Sequence, residues 1–319
     1  MKRKGLFILL LTTLFFTFGC SKQAPKPNLS TPGFIIDSHM HYGPIDIGYD
    51  DPSYNSELEN WEKDFLETME KYNAMACLMI GRNWEAPDFW HEIERGIKFA
   101  KAHPDRVIPY AALRIDSPSI LEEIQKAHDM GYKGIGEIFA VNDWNYDDPR
   151  YDKIWALAEK LGMPIAPHTG ILAFGQLSRM RPGYLGTICV KFPNLYIHAA
   201  HFGNPWYNEA AEVVRRNKKL FFDITGSSLF KYDNNPAYWK QFLWWTPYLG
   251  TPHMPKDAVP AFEKILFGTD EYPEGFEKNI IRFNKMLDAC GVSEETREKC
   301  YYGTMAGIHN IDVRKYLKR

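Results

Sequence analysis

The sequence predicts a (β/α)8, or TIM, barrel, and three observations lead there. Eight short apolar runs alternate with stretches of helical periodicity. The runs are near-continuously apolar, as parallel strands buried on both faces are. No glycine-rich phosphate loop follows any of them, which counts against a nucleotide-binding open sheet. The span 33–319 suits one such domain, since these barrels take about 250 residues.

Ile35-Ile36 opens the first strand and runs into Asp37-Ser38-His39-Met40-His41. A polar loop over 42–56 follows, then a helix over 59–72 spaced by Trp61, Phe65, Met69 and Tyr72. The second strand is 76–80, ended by Gly81. A helix over 89–102 leads to the third strand, 107–113. Ser117 opens a helix that reaches Met130, and Gly131 closes it in the C′ position. The fourth strand is 133–138 and the fifth 164–168, with a helix over 152–161 between them. A helix near 184–192 precedes the sixth strand, 195–200. Residues 209–217 are helical and 220–224 form the seventh strand. The eighth is Ile265-Leu266-Phe267, ended by Gly268-Thr269-Asp270. A helix over 277–289 and three short C-terminal ones (294–301, 304–308, 313–317) complete the chain. Residues 225–264, with Trp239, Trp244 and Trp245, make an insertion on the side where such barrels carry their sites, and read as a cap or wall of the pocket.

Three segments divide the chain: 1–20, 21–32 and 33–319. Lys2, Arg3 and Lys4 precede an apolar stretch, 6–18, that is short for a membrane span and reads as an export signal. Gly19-Cys20 resembles the lipobox of bacterial lipoproteins, with Thr17 where Leu is usual. That resemblance implies lipidation of Cys20 and an envelope location, anchored to a bacterial membrane on its periplasmic or extracellular face. An ordinary secretory signal or an uncleaved anchor is the alternative. Residues 21–32, with Pro25, Pro27 and Pro32, read as a tether.

Hydrophobic residues make up 45% of the chain, enough for a sizeable core, and aromatic residues 15%. A net charge of −2 shows no footprint for nucleic acid, so the expected partner is a small-molecule substrate. The sequence leaves a homodimer open. Cys77 and Cys189 sit in apolar runs and read as buried thiols. Cys290 and Cys300 suit pairing in an oxidising compartment, which spacing alone does not establish.

Barrel enzymes carry their chemistry at the C-terminal strand ends. Strand one ends in His39-x-His41, whose side chains share one face with Cα atoms roughly 6.5–7 Å apart. That spacing lets two imidazoles converge on one metal ion. Glu137 ends strand four, His168 strand five, His201 strand six and Asp270 strand eight. The alternative for Asp270 is a helix N-cap. His198, three before His201, falls on the opposite strand parity and is expected to face the helices. Arg82 and Arg114 follow strands two and three, where a guanidinium either clamps a substrate carboxylate or joins a surface salt bridge.

His39-x-His41, His168-Thr169-Gly170, His201-Phe202-Gly203 and Gly268-Thr269-Asp270 together resemble the amidohydrolase superfamily over about residues 34–310. The match is to its amidohydrolase-2 branch, which includes aminocarboxymuconate-semialdehyde decarboxylase and related decarboxylases, hydratases and hydrolases. One departure from the branch is Met305-Ala306 in place of an Asn-Ala pair. The resemblance implies one divalent metal, most often zinc, on His39, His41, His168 and Asp270. It also implies that Asp270 accepts a proton from water and that His201 orients that water or polarises a carbonyl. Gly136-Glu137 is instead similar to TatD-like hydrolases, where such a Glu helps hold a second metal; a hydrogen bond to a substrate or to a ligand imidazole is the other role open to Glu137. The sequence therefore implies a metal-dependent hydrolase of a small amide, ester or lactone. A decarboxylase or hydratase on the same site, and a non-catalytic binding lipoprotein, are the rivals.

Overall fold

Eight parallel strands pair in sequence order: β1 (Ile35–His41), β2 (Ala74–Ile80), β3 (Val107–Ala111), β4 (Gly134–Ile138), β5 (Ile165–Pro167), β6 (Ile197–Ala199), β7 (Leu220–Asp223) and β8 (Ile265–Leu266). A computed structural model describes residues 28–44, 47–48, 51–81, 89–140, 144–172, 176–243, 261–270 and 272–317. Residues 1–27, with the expected signal and the expected lipidation site Cys20, lie outside the described residues, as do Arg82, Trp244 and Trp245. The ends of the sheet meet across hydrogen bonds. Ser38 N–H donates to the Phe267 carbonyl at 2.9 Å, and Asp270 N–H donates to the His39 carbonyl at 2.7 Å. The expected (β/α)8 barrel is therefore present, joined to itself at the end that carries His39 and Asp270.

Burial explains the apolar runs. All seven residues of β2 are buried, because the inner face fills the barrel and the outer face meets helices. The helices between strands are α1 (Tyr54–Lys71), α2 (Phe89–Ala102), α3 (Ile120–Met130), α4 (Asp152–Leu161), α5 (Gly183–Lys191) and α6 (Tyr207–Arg216). After β7 come α7 (Ser227–Lys231), then α8 (Phe276–Cys290), α9 (Glu294–Glu298) and α10 (Thr304–His309). Helix α1 begins five residues before the expected start, since Tyr54 and Leu58 extend its buried stripe through Trp61, Phe65 and Met69. Gly131 caps α3 in the left-handed region, with φ of 106°. Cys189 is half-buried rather than buried. Its apolar run is part of a helix, so Ile188 faces the core while Val190 is 79% exposed. The four described cysteines are free, Cys290 and Cys300 among them.

The insertion between β7 and β8 packs, over its described part, on the outside of the barrel. Trp239 is buried among Phe202, Tyr207, Tyr232 and Phe242. The 3-10 turn Pro236–Gln241 lies along α8, with Cys290 Sγ 3.6 Å from the Pro236 carbonyl. Among its described residues, Thr225, Gly226 and Ser228 reach the strand ends where the histidines gather, the Ser228 hydroxyl donating to the His201 carbonyl at 2.7 Å.

His198 faces the barrel interior, not the helices. Its ring meets Tyr110 edge-on, with centroids 5.0 Å apart, and β3 and β6 are separated by two strands, so their side chains touch only across the inside. Strand parity does not carry from His198 to His201, because β6 ends at Ala199 and His201 stands in a left-handed turn with φ of 65°. Beneath it, Tyr110 hydrogen-bonds His309 of α10 at 2.9 Å, which seals the N-terminal end of the barrel.

Burial, with His309 beside it, pushes His198 from the usual 6.5 down to about 3. Between those values the unfolded chain binds a proton that the fold excludes, so stability falls as pH falls through that window. His198→Phe keeps the ring packing and takes no proton. Its urea midpoint is expected to drop less than the wild type's between pH 7 and pH 4; equal drops would refute the assignment.

Candidate metal centre at the rim of the barrel

A register shift in β1 between Asp37 and Met40 lets the strand bend before its last residues. His39 and His41 then alternate onto the interior side, with Nε2 atoms 3.3 Å apart. Glu137, nearly the last residue of β4, follows Gly136, where a Cβ would stand only 2.5 Å from that of Ala166. The missing Cβ allows β4 to lie close to β5, from whose end His168 projects. His201 and Phe202 turn through left-handed backbone after β6, and Asp270, with φ of 53°, does so after β8. Asp270 caps no helix, since the next helical turn begins at Pro273 under Tyr272.

These side chains form two constellations that share Glu137. In the first, His39, His41, Glu137 and Asp270 bring one ligand atom each within 4.8 Å of all the others. In the second, Glu137, His168 and His201 do the same. The carboxylate divides between them. Glu137 Oε2 lies 3.5 Å from His39 Nε2 and 3.4 Å from His41 Nε2. Glu137 Oε1 lies 2.7 Å from His168 Nδ1 and 3.5 Å from His201 Nε2. Asp270 also spans: Oδ1 is 3.4 Å from His39 Nε2 and 3.3 Å from His41 Nε2, while Oδ2 is 3.8 Å from His201 Nδ1. His168 thus gathers with Glu137 and His201, apart from the His39, His41 and Asp270 set with which the resemblance grouped it.

The donor set fits a divalent cation. His39 Nδ1–H donates to Asp223 Oδ2 at 3.1 Å, which leaves Nε2 as a lone pair facing two carboxylate oxygens. Acceptors facing acceptors in a buried site need a positive charge between them, which a proton on Nε2 or a metal ion supplies. His41 Nδ1 is buried without a hydrogen-bond partner. His168 Nε2 lies 3.2 Å from the Ile171 carbonyl; a proton there leaves Nδ1 to the ion. Imidazole nitrogens and carboxylate oxygens are the ligands zinc and manganese accept.

Charge follows the same logic. Burial alone pushes His39 down, but the carboxylates of Asp270 and Glu137 outweigh it and hold the ring well above its usual value. His41 and His201 shift upward against burial for the same reason. Burial raises Glu137, yet His168 and His39 carry it well below the ordinary carboxylate range. Asp270 is likewise lowered, by His39 and His201 against burial.

Asp223, Thr225 and Gly226 also belong to the rim, although the sequence analysis does not single them out. Asp223 is 1% exposed at the end of β7 and touches both His39 and the His201 backbone. The rule that found the others, a polar residue ending an apolar run, applies equally to Phe221-Phe222-Asp223. A Cβ on Gly226 would come within 3.2 Å of His201 Nδ1 and 3.3 Å of Asp270 Oδ2. Arg114 is engaged bidentately by Asp116, at 2.9 and 2.8 Å. Arg82 lies outside the described residues.

A sequence profile of the amidohydrolase family matches residues 36–304, and the chain belongs to that family. Its members are metal-dependent enzymes, and the fold and rim cluster agree with that membership. No curated protein matches the sequence at a significant level. Among solved structures, the chain is similar to 5-carboxyvanillate decarboxylase from Sphingomonas paucimobilis, with 14% identity, a TM-score of 0.61, and 88% of this chain and 99% of that one covered. A dihydroxybenzoic acid decarboxylase from Polaromonas sp. JS666, with bound manganese and 2-nitroresorcinol, is 14% identical with a TM-score of 0.57, covering 88% and 98%. A protein assigned as a 2-pyrone-4,6-dicarboxylic acid hydrolase from Acinetobacter baumannii, with citric acid bound, is 14% identical with a TM-score of 0.53, covering 86% and 99%. At such identities the likeness shows the fold alone.

An ion entering the cluster displaces protons from His39, His41 and His201, whose values are all raised. Affinity for zinc or manganese, read by chelator competition, is therefore expected to tighten by about tenfold or more from pH 6 to pH 8. A flat profile would contradict the cluster as the binding site.

Proposed function

We propose that the protein is a metal-dependent hydrolase that opens the carbonyl of a small amide, ester or lactone with water. Glu137 is the residue that favours this reading: its two oxygens serve two constellations, so the rim can present water and carbonyl side by side. The set is rich in imidazole, which favours zinc, with room for one ion or two. A bound divalent ion supplies Lewis acidity, making water more acidic and a carbonyl more electrophilic.

The chain's own groups do the rest. Asp270 presents Oδ2 away from His39 and His41, free to take the proton that water loses and to return it to the leaving group. His201 directs Nε2 into the site while its Nδ1 is held by Thr225 at 2.8 Å; where no ion occupies its own constellation, its protonated form donates from Nε2 to the carbonyl oxygen as charge builds there, and where an ion does, Nε2 is a ligand. Arg114, already paired with Asp116, lends no unclaimed charge to a substrate carboxylate.

A lyase reading has support of its own. Decarboxylases from Sphingomonas paucimobilis and Polaromonas share the fold, and the Polaromonas enzyme holds a divalent ion, manganese. Release of carbon dioxide from an aryl carboxylate, set against opening of lactones, esters and amides, separates the two. A purely binding role is disfavoured because every expected ligand is present. His39→Ala and Asp270→Asn are each expected to lower turnover by about two orders of magnitude or more with the circular dichroism unchanged. Wild-type rates in both variants would refute the site.

We also propose that the chain is held to the cell envelope through Cys20 and the tether that follows it. Cys20→Ser is expected to move the protein from the membrane pellet to the soluble fraction after cell lysis. A variant that still pellets would overturn lipid anchoring.

A further inference from the structure

We propose that Asp223 is a positioning residue that sets the tautomers of His39 and His201 together, and so couples the two constellations of the rim. The proposal rests on the metal-centre reading above. Asp223 is buried at the end of β7 and accepts four hydrogen bonds. Oδ2 takes His39 Nδ1–H at 3.1 Å. Oδ1 takes the His201 backbone N–H at 2.9 Å, the Thr225 backbone N–H at 3.1 Å and the Thr225 hydroxyl at 2.5 Å.

The consequence for His201 is a matter of counting protons. A threonine hydroxyl has one hydrogen. Thr225 gives it to Asp223, so its oxygen can only accept from His201 Nδ1, 2.8 Å away. His201 therefore carries its proton on Nδ1 and turns a lone pair on Nε2 toward Glu137, 3.5 Å distant. His39, with Nδ1–H on Oδ2, turns Nε2 toward Glu137 and Asp270 in the same way. One carboxylate thus governs a ligand in each constellation: His39 by direct contact, His201 through Thr225.

An amide cannot do this, although it fills the same space. In an Asp223→Asn variant whose NH2 faced His39, the His39 proton would have to move to Nε2, and the lone pair offered to the ion would be lost. With the NH2 facing the other way, it would point at two backbone N–H groups and would reverse the Thr225 hydroxyl, leaving His201 Nδ1 without an acceptor. Either orientation removes one imidazole from the metal.

The test compares Asp223→Asn, Thr225→Val and Thr225→Ser with wild type in chelator competition for zinc and in 15N spectra of the histidine rings at pH 9. Asp223→Asn is expected to stay folded, to bind zinc about 10–100-fold more weakly, and to show a proton moved from Nδ1 to Nε2 in one of the two rings. Thr225→Val is expected to alter the His201 ring alone with a smaller loss, and Thr225→Ser to restore wild-type values. Wild-type affinity and ring tautomers in Asp223→Asn would overturn the proposal. If that variant does not fold, the threonine pair decides: Thr225→Val indistinguishable from wild type, or Thr225→Ser no better than Thr225→Val, overturns it. Failure of wild-type protein to bind zinc or manganese would instead sink the metal-centre reading, while the ring spectra would still report on Asp223.

Discussion

Where β8 meets β1, the barrel is joined by a few hydrogen bonds centred on one buried carboxylate. Asp37 accepts the His39 N–H at 2.9 Å, the Thr269 N–H at 3.2 Å and the Thr269 hydroxyl at 2.7 Å. The His39 carbonyl in turn accepts the Asp270 N–H. Those contacts hold the backbone of His39 against that of Asp270, and their side chains meet just above. Closing the sheet and assembling the first constellation are therefore one event. β8 is the shortest strand, and its polar continuation Gly268-Thr269-Asp270 does the closing that a longer ladder does elsewhere.

Placing acidic groups inside a barrel has an electrostatic cost that their neighbours must offset. Asp37 and Asp223 show the two outcomes. Burial raises both. Asp37 receives hydrogen bonds mostly from neutral donors and is pushed up to about 7. Asp223 stands beside His39 and His201, and these draw it down to about 2 despite the burial. Asp37 can thus act as a structural tie that tolerates a proton, while Asp223 stays a carboxylate that only accepts. Glu137 and Asp270 follow the Asp223 pattern, so the rim concentrates negative charge where the histidines and an ion can answer it.

Much of this is legible in the residues. The eight apolar runs mark the strands because a parallel barrel buries both faces of each. His39, His41, Glu137, His168, His201 and Asp270 stand out because each lies at or just past the end of such a run. Asp223 stands in the same way, before Ile224 as Glu137 stands before Ile138, and it is its contacts with His39 and His201 that mark it out. Parity misdirects His198 because period two holds only while the strand lasts, and β6 stops before the turn that aims His201. The division of ligands between two constellations has no sequence signature. It depends on which way the two oxygens of Glu137 point, and that follows from how closely β4 approaches β5 at Gly136.

The rim is also where the backbone departs from comfortable geometry. Five described residues other than glycine have positive φ, and His201, Phe202 and Asp270 are three of them. Strained backbone of this kind costs roughly 1–3 kcal/mol per residue and persists where the surroundings over-determine it. Glycine would relieve the strain at His201 and Asp270, but it would delete the groups the site is built from. Gly226 is the complementary case: its φ of 56° with ψ of −141° is a conformation that glycine alone readily adopts, and it contributes no side chain, because a Cβ there would press on His201 Nδ1 and Asp270 Oδ2. A left-handed turn at the end of a strand reverses the backbone abruptly enough to bring a side chain back over the barrel mouth. The fold accepts that local strain at two candidate ligands and avoids it at the neighbour that must leave them space.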